Sequence, residues 1–254
     1  MLLALAAPLP AVDILYVTMS NNEIVSFDTT GNNGSTIAAT MAVFANTNLN
    51  DPYGLAFDSS GNLYAANPNT NTISKFNASG AYVSNITGNL NATQGLAFDA
   101  SGNLYTANAG GSTISRFNAS GTYLSSISSN LNIPRGLAFD SSGNLYAANA
   151  NGNTISKFNA SGAYVSNITS NLNGPFGLAF DSSGNLYAAN NSNSTISKFD
   201  SSGTFLTSWS TGTASPRYLA FKPVTVPEPS TYALATNATG VMAYLARRRK
   251  ARTA

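Results

Sequence analysis

The stretch Gly54-Leu-Ala-Phe-Asp58 decides the fold, because it returns unchanged at a fixed interval along the chain. Its copies begin at Gly95, Gly136 and Gly177, each 41 residues after the one before. A shorter copy, Tyr218-Leu-Ala-Phe221, lies a further 41 residues on. A constant period of about 20–50 residues is typical of solenoids, propellers and repeat arrays. Repetition therefore governs the architecture of most of this 254-residue chain.

One repeat, residues 54–94, contains four short apolar runs separated by turn-forming residues. The predicted strands are Leu55–Phe57, Leu63–Ala66, Thr72–Phe76 and Ala81–Ile86. Asp, Asn and Gly between them favour hairpin turns. Four such strands predict an antiparallel meander of the size of one propeller blade, which must pack on its neighbours to bury both faces. The expected packing layer comprises Leu55, Phe57, Tyr64, Ile73 and Phe76.

The two ends of the repeat region predict the number of blades. Residues 15–41 match the second, third and fourth strands of a repeat, with the fourth strand expected at Thr36–Met41. Nothing upstream of them matches Gly-Leu-Ala-Phe, whereas Tyr218–Phe221 supplies such a strand at the far end. Together the two fragments complete one blade, which closes the ring and removes exposed strand edges. The sequence therefore predicts an all-β propeller of five four-stranded antiparallel blades, closed by this C-terminal strand.

The repeat also resembles a known family. The pattern Pro-x-Gly-Leu-Ala-Phe-Asp-x-x-Gly-Asn-Leu-Tyr-x-Ala-Asn, followed by Ile-Ser-Lys-Phe-Asn-x-x-Gly, is similar to the NHL repeat over about four-fifths of the chain. The position at which that family usually has Asp is occupied here by Asn67, Asn108, Asn149 and Asn190. The resemblance implies a β-propeller. Because NHL-like propellers are most often six-bladed, a six-bladed ring whose first blade is missing from this chain is the alternative.

Composition argues against several classes of function. The chain has no cysteine and no histidine, which removes thiolate metal sites, cysteine nucleophiles and the commonest general base. Five of the twelve basic residues lie within residues 247–254, so the rest of the chain has seven basic and ten acidic residues. Because phosphate contacts dominate affinity for nucleic acid, we expect this weakly acidic body not to bind it.

Four aspartates at equivalent positions suggest either a ring of metal ligands or four separate turns. Each is followed by Ser-Ser-Gly-Asn or Ala-Ser-Gly-Asn, and calcium requires six to eight oxygen ligands around one point. We therefore assign turns, with no metal site and no cofactor, to Asp58, Asp99, Asp140 and Asp181.

Lactonase-like and metal-lyase propellers resemble this architecture and bind metal at the central channel. The repeat region here contains a single glutamate, Glu23, and no histidine, so it offers no good candidate for a general base. We therefore expect a protein that is not an enzyme and has no catalytic residues. A lactonase-like (gluconolactonase-like) metal-dependent hydrolase is the alternative.

The residue before each inner-strand Gly-Leu-Ala-Phe varies from copy to copy, as do the turns that begin at Asn67, Asn108, Asn149 and Asn190. In a meander, the loop into the first strand and the loop between the second and third strands open on the same face, so these side chains are expected to ring one mouth of the channel. Aromatic faces with Arg and Asn donors suit sugars or peptides. Drift at unconstrained loop positions gives the same pattern. The predicted binding residues are Tyr53, Gln94, Arg135, Phe176 and Arg217.

The C-terminal segment has three parts in a fixed order. Pro227-Glu228-Pro229 is followed by a mostly apolar run, residues 231–246, and then by a basic cluster that includes Arg247, Arg248 and Arg249. This order resembles the PEP-CTERM sorting signal of exported bacterial proteins, which implies processing by an exosortase-type enzyme. Sixteen helical residues span about 24 Å, short of the roughly 30 Å hydrocarbon core, so the membrane anchor is expected to be transient. The basic cluster favours the cytoplasmic side, which places the propeller outside.

These observations predict three segments. They are a signal-peptide-like segment at residues 1–11, an NHL-like propeller at 12–223 and a sorting segment at 224–254. The predicted function is that of an exported, monomeric, non-catalytic binding or scaffold protein of the bacterial cell surface or extracellular matrix. Its expected partners are exopolysaccharide or surface proteins.

Overall fold

The computed structural model describes residues 14–19, 21–28, 41–212, 215–217 and 219. Within these ranges the chain forms 19 β-strands and no helix. The strands lie in five antiparallel sheets, each a blade of a β-propeller, so the predicted all-β fold with five blades is confirmed. All described residues belong to one compact unit of the chain, Met1–Phe221, and none belongs to the second unit, Lys222–Ala254.

The strands follow one another from blade to blade along the chain. The first blade contains β1 (Ile14–Met19), β2 (Glu23–Asp28) and β3 (Met41–Ala45). The second contains β4 (Leu55–Phe57), β5 (Leu63–Asn67), β6 (Thr72–Phe76) and β7 (Tyr82–Ile86). The third contains β8 (Thr93–Phe98), β9 (Leu104–Asn108), β10 (Thr113–Phe117) and β11 (Tyr123–Ile127). The fourth contains β12 (Pro134–Phe139), β13 (Leu145–Asn149), β14 (Thr154–Phe158) and β15 (Tyr164–Ile168). The fifth contains β16 (Pro175–Phe180), β17 (Leu186–Asn190), β18 (Thr195–Phe199) and β19 (Phe205–Ser210).

An aspartate closes the first hairpin turn of each complete blade. Asp58 Oδ1 accepts hydrogen bonds from the backbone N–H groups of Ser60 and Asn62, both at 2.9 Å. Gly61 adopts a φ of 79°, which a residue without a Cβ reaches at little cost. The same pair of backbone contacts is made by Asp99, Asp140 and Asp181. The four aspartates therefore serve separate turns.

The outer strand of the first blade differs from the prediction. The sequence places it at Thr36–Met41, but the structure has β3 at Met41–Ala45, paired antiparallel with β2. Alignment with the other repeats misplaces the strand because twelve residues connect β2 to β3, against five between β6 and β7. Residues 36–40 lie outside the described residues.

The predicted closing strand, Tyr218–Phe221, is represented among the described residues by Leu219 alone. Leu219 lines the central channel, a narrow space of about 100 Å³. The other leucines around this channel come from the inner strands of the complete blades and are Leu55, Leu96, Leu137 and Leu178. The fifth leucine therefore lies where the composite first blade requires it.

The hydrophobic core lies between blades. The cluster between the second and third blades joins Tyr64 and Ile73 to Leu104 and Phe117 of the next sheet. Equivalent clusters join the first to the second blade, the third to the fourth and the fourth to the fifth. Both faces of a blade are covered in this way, which is why all five residues of β5 are buried. The phenylalanines with no exposed surface are those that end the third strand of each complete blade, Phe76, Phe117, Phe158 and Phe199.

One member of the predicted packing layer, the phenylalanine of Gly-Leu-Ala-Phe, packs between blades at the edge of the core and not within it. Phe57 is 44% exposed, and its equivalent Phe98 is only partly buried. Each lies at the last position of an inner strand, next to a turn, and packs edge-on against a tyrosine of the preceding blade. The ring centroids are 5.0 Å apart for Phe57 and Tyr16 and 5.1 Å apart for Phe98 and Tyr64. A residue at a strand end is covered on one side only.

Candidate functional site

The variable residues of the third, fourth and fifth blades lie in β-bulges near the start of the inner strands. In β8 the register shifts between Thr93 and Leu96, so that Gln94 and Gly95 together face the single residue Ala107 of β9. The equivalent shifts occur in β12 and β16. A bulge inserts one extra residue into a strand and redirects the side chain at that point.

The glycine after each variable residue brings neighbouring inner strands into close contact. A Cβ atom on Gly95 would lie far inside 3.0 Å from the backbone oxygen of Arg135, and one on Gly136 would meet the backbone oxygen of Phe176 in the same way. Because glycine lacks a Cβ, it allows this approach of two backbones. The variable residues of successive blades are therefore held side by side at one mouth of the channel.

Four of the five predicted binding residues contact one another at this mouth. Cζ of Arg135 lies 5.1 Å from the ring centroid of Phe176. Cζ of Arg217 lies 5.8 Å from the same ring and 5.9 Å from the ring of Tyr53. Guanidinium groups are attracted to aromatic faces at such distances. Arg217 lies just before the closing segment. Because it contacts Phe176 of the fifth blade and Tyr53, which precedes the second blade, it connects the two neighbours of the composite first blade.

The fifth predicted residue, Gln94, is buried, with 4% of its surface exposed. Among the described residues, its Oε1 atom has no hydrogen-bond donor and Nε of Arg135 has no acceptor, although both atoms are enclosed. An unpaired buried polar group costs about 1–3 kcal/mol. Among the described residues, neither Arg135 nor Arg217 forms an ion pair. Within the described part of the chain, the mouth therefore combines two guanidinium groups that have no ion pair with two aromatic side chains.

The aspartates of the turns belong to a different, repeated arrangement. In the second blade Asp58 Oδ2 lies 3.7 Å from Nζ of Lys75, which lies 5.1 Å from the ring centroid of Tyr64. Burial by itself raises the pKa of Asp58, but hydrogen bonds from Asn62 and Ser60 and the charge of Lys75 outweigh it and lower the pKa below 3.8. Burial raises the pKa of Tyr64 above 10.0. These contacts keep the carboxylate charged and bound to its own blade.

Among the described residues, no group of three or more Asp, Glu, His or Cys side chains is arranged to hold a metal ion. Glu23 is bound through its Oε2 atom, which accepts a hydrogen bond of 2.7 Å from the side chain of Asn21.

The sequence interpretation missed a buried asparagine that ends the second strand of each complete blade. Asn149 is 1% exposed, and its Nδ2 donates to the hydroxyls of Ser156 at 2.8 Å and Thr154 at 3.0 Å. Its Oδ1 accepts from the backbone N–H of Asn132, in the loop that leads to Arg135. Only an amide both donates and accepts in this way, which explains Asn where the NHL repeat has Asp. The available signal was the constant spacing of Asn, Thr and Ser in all four copies, with the other asparagines at Asn67, Asn108 and Asn190.

The sorting signal predicted from the sequence lies outside the described residues, as does the signal-peptide-like segment at residues 1–11. The residues concerned are Pro227, Glu228, Pro229, Arg247, Arg248 and Arg249. In the part of the chain that the structure describes, no helix has the length and apolar character needed to span a membrane.

Comparison with known proteins shows a shared fold. No protein-family model and no curated protein sequence matches the chain. Virginiamycin B lyase from Staphylococcus aureus superposes with a TM-score of 0.64 and 17% identity, covering 82% of this chain and 71% of that chain. A catalytically inactive variant of that lyase with quinupristin gives 0.62 and 15%, covering 81% and 77%. A streptogramin B lyase structure gives 0.62 and 16%, covering 83% and 74%. The chain is thus a β-propeller similar in fold to these lyases.

These matches correct the prediction that the protein is not an enzyme. That prediction rested on the absence of histidine and the scarcity of glutamate in the repeat. The three compared structures of this fold are of lyases, so this architecture is compatible with catalysis. The lack of one residue type is therefore no reason to exclude it.

Proposed function

We propose that the propeller binds an acidic polysaccharide of the cell surface or extracellular matrix at the mouth formed by Tyr53, Gln94, Arg135, Phe176 and Arg217. The observation that carries the proposal is the pair of guanidinium groups that stack on Phe176 and Tyr53 with no carboxylate partner among the described residues. A cation without a counter-ion, held at the opening of a channel, favours an anionic ligand.

The chemistry of each side chain suits a carboxylate-bearing sugar chain. A guanidinium presents several donors in one plane and binds carboxylates through paired hydrogen bonds. An aromatic face packs against the apolar C–H face of a sugar ring, and Tyr53 is only half-buried. Gln94 is buried, so the exposed contacts to the ligand come from the arginines and Tyr53. The channel behind the mouth holds only about 100 Å³, so the polymer lies across the opening.

Binding is measured by calorimetry with polygalacturonate as the acidic probe and dextran as the neutral control. Arg135→Gln and Arg217→Gln are each expected to weaken polygalacturonate binding by at least about tenfold, because a hydrogen bond to a charged group contributes about 1.5–3 kcal/mol. Lys157→Gln removes the same charge away from the mouth and is expected to leave affinity unchanged. Equal affinity for dextran, or full affinity in both folded arginine variants, would refute the proposal. If the polygalacturonate is also found to be shortened in these samples, then the protein cleaves the polymer as well as binding it.

We also propose that the protein is exported and that its C-terminal segment is a sorting signal removed by an exosortase-type enzyme. The proposal is supported by the order of Pro227-Glu228-Pro229, the apolar run and the basic cluster. Mass spectrometry of the protein from the native cell surface is expected to find chains without Arg247–Ala254. Intact chains in the extracellular fraction would contradict it.

A further inference from the structure

A groove of about 290 Å³ lies between the third and fourth blades, away from the residues of the mouth. Its walls come from β9, β10, β11 and the segment after β11, and from the turn between β14 and β15. The residues on which the argument rests are Tyr105, Arg116, Ser125, Ser126, Ile127 and Gly162. A volume of this size is at the lower limit for small-molecule pockets and suits a ligand no larger than one sugar ring.

The groove contains one residue found in the third blade alone, Arg116, and one that the third blade shares with the fifth, Ser126, equivalent to Ser208. Arg116 stands where the other complete blades have lysine, at Lys75, Lys157 and Lys198. Ser126 stands where the second and fourth blades have asparagine, at Asn85 and Asn167. Arg116 presents a planar guanidinium with several donors where lysine has a compact ammonium. Ser126 has a shorter side chain than asparagine and so leaves more space in the groove. The repeat itself requires neither change.

The guanidinium of Arg116 is poorly satisfied by the protein. Its closest carboxylate oxygen, Oδ2 of Asp99, is 3.7 Å from Nη2, beyond hydrogen-bond distance. Its Nε atom is enclosed and has no partner among the described residues. The side chain is 35% exposed, against 22–24% for the three equivalent lysines. Cζ lies 5.5 Å from the ring of Tyr105, which holds the group at the groove.

The gap between these two blades is wider than its equivalents. A Cβ on Gly162 would lie 3.5 Å from the nearest atom of Ile127 across the gap. The corresponding distance is 3.0 Å for Gly121 and 3.1 Å for Gly203, each measured to the isoleucine of the preceding blade. The third and fourth blades therefore leave additional space beside Arg116.

The remaining polar lining is free to bind. Ser125, Ser126, Ser128 and Ser129 line the groove and are exposed, and no partner for their hydroxyls occurs among the described residues. The hydroxyl of Ser161, by contrast, is bound to Asn159 Oδ1 at 2.7 Å. Serine hydroxyls both donate and accept, which matches the hydroxyls of a sugar.

We propose that this groove binds a single sugar ring that carries an anionic group, either a carboxylate or a phosphate. Arg116 binds the anion, the serine hydroxyls bind the ring hydroxyls, and Ile114 and Ile127 contact its apolar face. The carboxylate of Asp99 is 3.7 Å from Nη2 of Arg116, beyond hydrogen-bond distance, so the Nη donors remain available to an anion. This site is separate from the mouth and goes beyond polysaccharide binding there.

Binding is tested by calorimetry on the full chain with glucuronate, a glucose phosphate, glucose and inorganic phosphate as probes. At least one of the two anionic sugars is expected to bind, and which of them binds identifies the anionic group. Arg116→Lys restores the residue of the other blades, so it is expected to keep its melting temperature and lose at least about tenfold in affinity. Ser126→Asn, which also restores a repeat residue, is expected to weaken the same ligand.

The mouth variant Arg217→Gln is the matched control and is expected to leave this binding unchanged. The proposal is overturned if neither anionic sugar binds or if glucose or inorganic phosphate binds as tightly as they do. Unchanged affinity in folded Arg116→Lys also overturns it. Failure at the mouth and failure at the groove are distinguished because each set of variants affects one site.

Discussion

The substitution Gly136→Ala directly tests the contact between the inner strands of neighbouring blades in the ring. Gly136 lies in the inner strand β12, where a Cβ would collide with the backbone oxygen of Phe176 and lie 3.0 Å from Cα of Gly177. Both obstructing atoms are backbone atoms of the next blade, so no side-chain rotation relieves the collision. The two inner strands would have to separate by about one ångström for the oxygen to reach an ordinary contact distance, in an interior packed at crystal density.

Overpacking of this kind costs about 1–3 kcal/mol, and we expect the upper end because the obstacle is rigid. For a domain of this size, 1 kcal/mol lowers the melting temperature by about 2–4 °C, so the expected decrease is about 6–12 °C. Thermal unfolding followed by circular dichroism measures it directly. The Trp209 side chain, stacked on Tyr187 in the fifth blade, provides a second signal by fluorescence.

Gly111→Ala is the matched control. Nothing lies closer than 3.5 Å to a Cβ at this position, and the residue is not among the glycines with positive φ. Replacing such a glycine restricts the unfolded chain and is expected to raise stability by up to about 1 kcal/mol. If Gly136→Ala melts at the same temperature as Gly111→Ala, then the inner strands of the fourth and fifth blades are not in contact, and this arrangement of the ring is wrong.

Three further predictions concern the core, the asparagine network and the turn aspartates. Phe76→Ala is expected to cost about 3–5 kcal/mol by urea unfolding, whereas Phe57→Ala costs less than half as much because its ring is 44% exposed; equal costs would contradict the core assignment. Asn149→Ala is expected to cost about 2–3 kcal/mol because it leaves the Asn132 N–H unpaired and removes the hydrogen bond that Ser156 Oγ accepts, while Asn151→Ala, at an exposed position, stays within about 0.5 kcal/mol. The lowered pKa values of Asp58 and Asp181 mean that the stability these carboxylates contribute is present above pH 3.8 and lost as the pH falls through the folded-state pKa. The melting temperature of the natural protein is therefore expected to fall more steeply on acidification than that of the double variant Asp58→Asn, Asp181→Asn, and parallel curves would refute this.

The repeat period and the turn residues were sufficient to predict the blades. The predicted strand Thr72–Phe76 matches β6 at both ends, and Leu55–Phe57 matches β4. Each is bounded by Asx-type turns whose chemistry is local, so the sequence alone determines them. The position of β3 was predicted wrongly because its connection is unlike that of any other blade, and no internal copy exists with which to align it.

The burial of individual residues was harder to predict, because it depends on contacts between blades. Alternation along a strand indicates which side chains share a face, but both faces of a blade pack on neighbours. Alternation therefore does not distinguish Phe76, which is fully buried, from Phe57 at the open end of its strand. The β-bulge before each glycine was missed for the same reason, since it depends on pairing with the second strand.

The bulge and the glycine together explain why the mouth varies while the ring does not. The contact between neighbouring inner strands is made by the glycine and by the backbone oxygen of the variable residue in the next blade. Gly54 donates its N–H to the backbone oxygen of Gln94 at 3.2 Å. Every residue type has that oxygen, so this contact places no demand on the side chain. Substitutions of Gln94, Arg135 and Phe176 therefore leave this backbone oxygen in place. Arg135 and Gln94 each enclose a polar atom that has no partner among the described residues, at a cost of about 1–3 kcal/mol, and drift alone gives no reason to retain that cost.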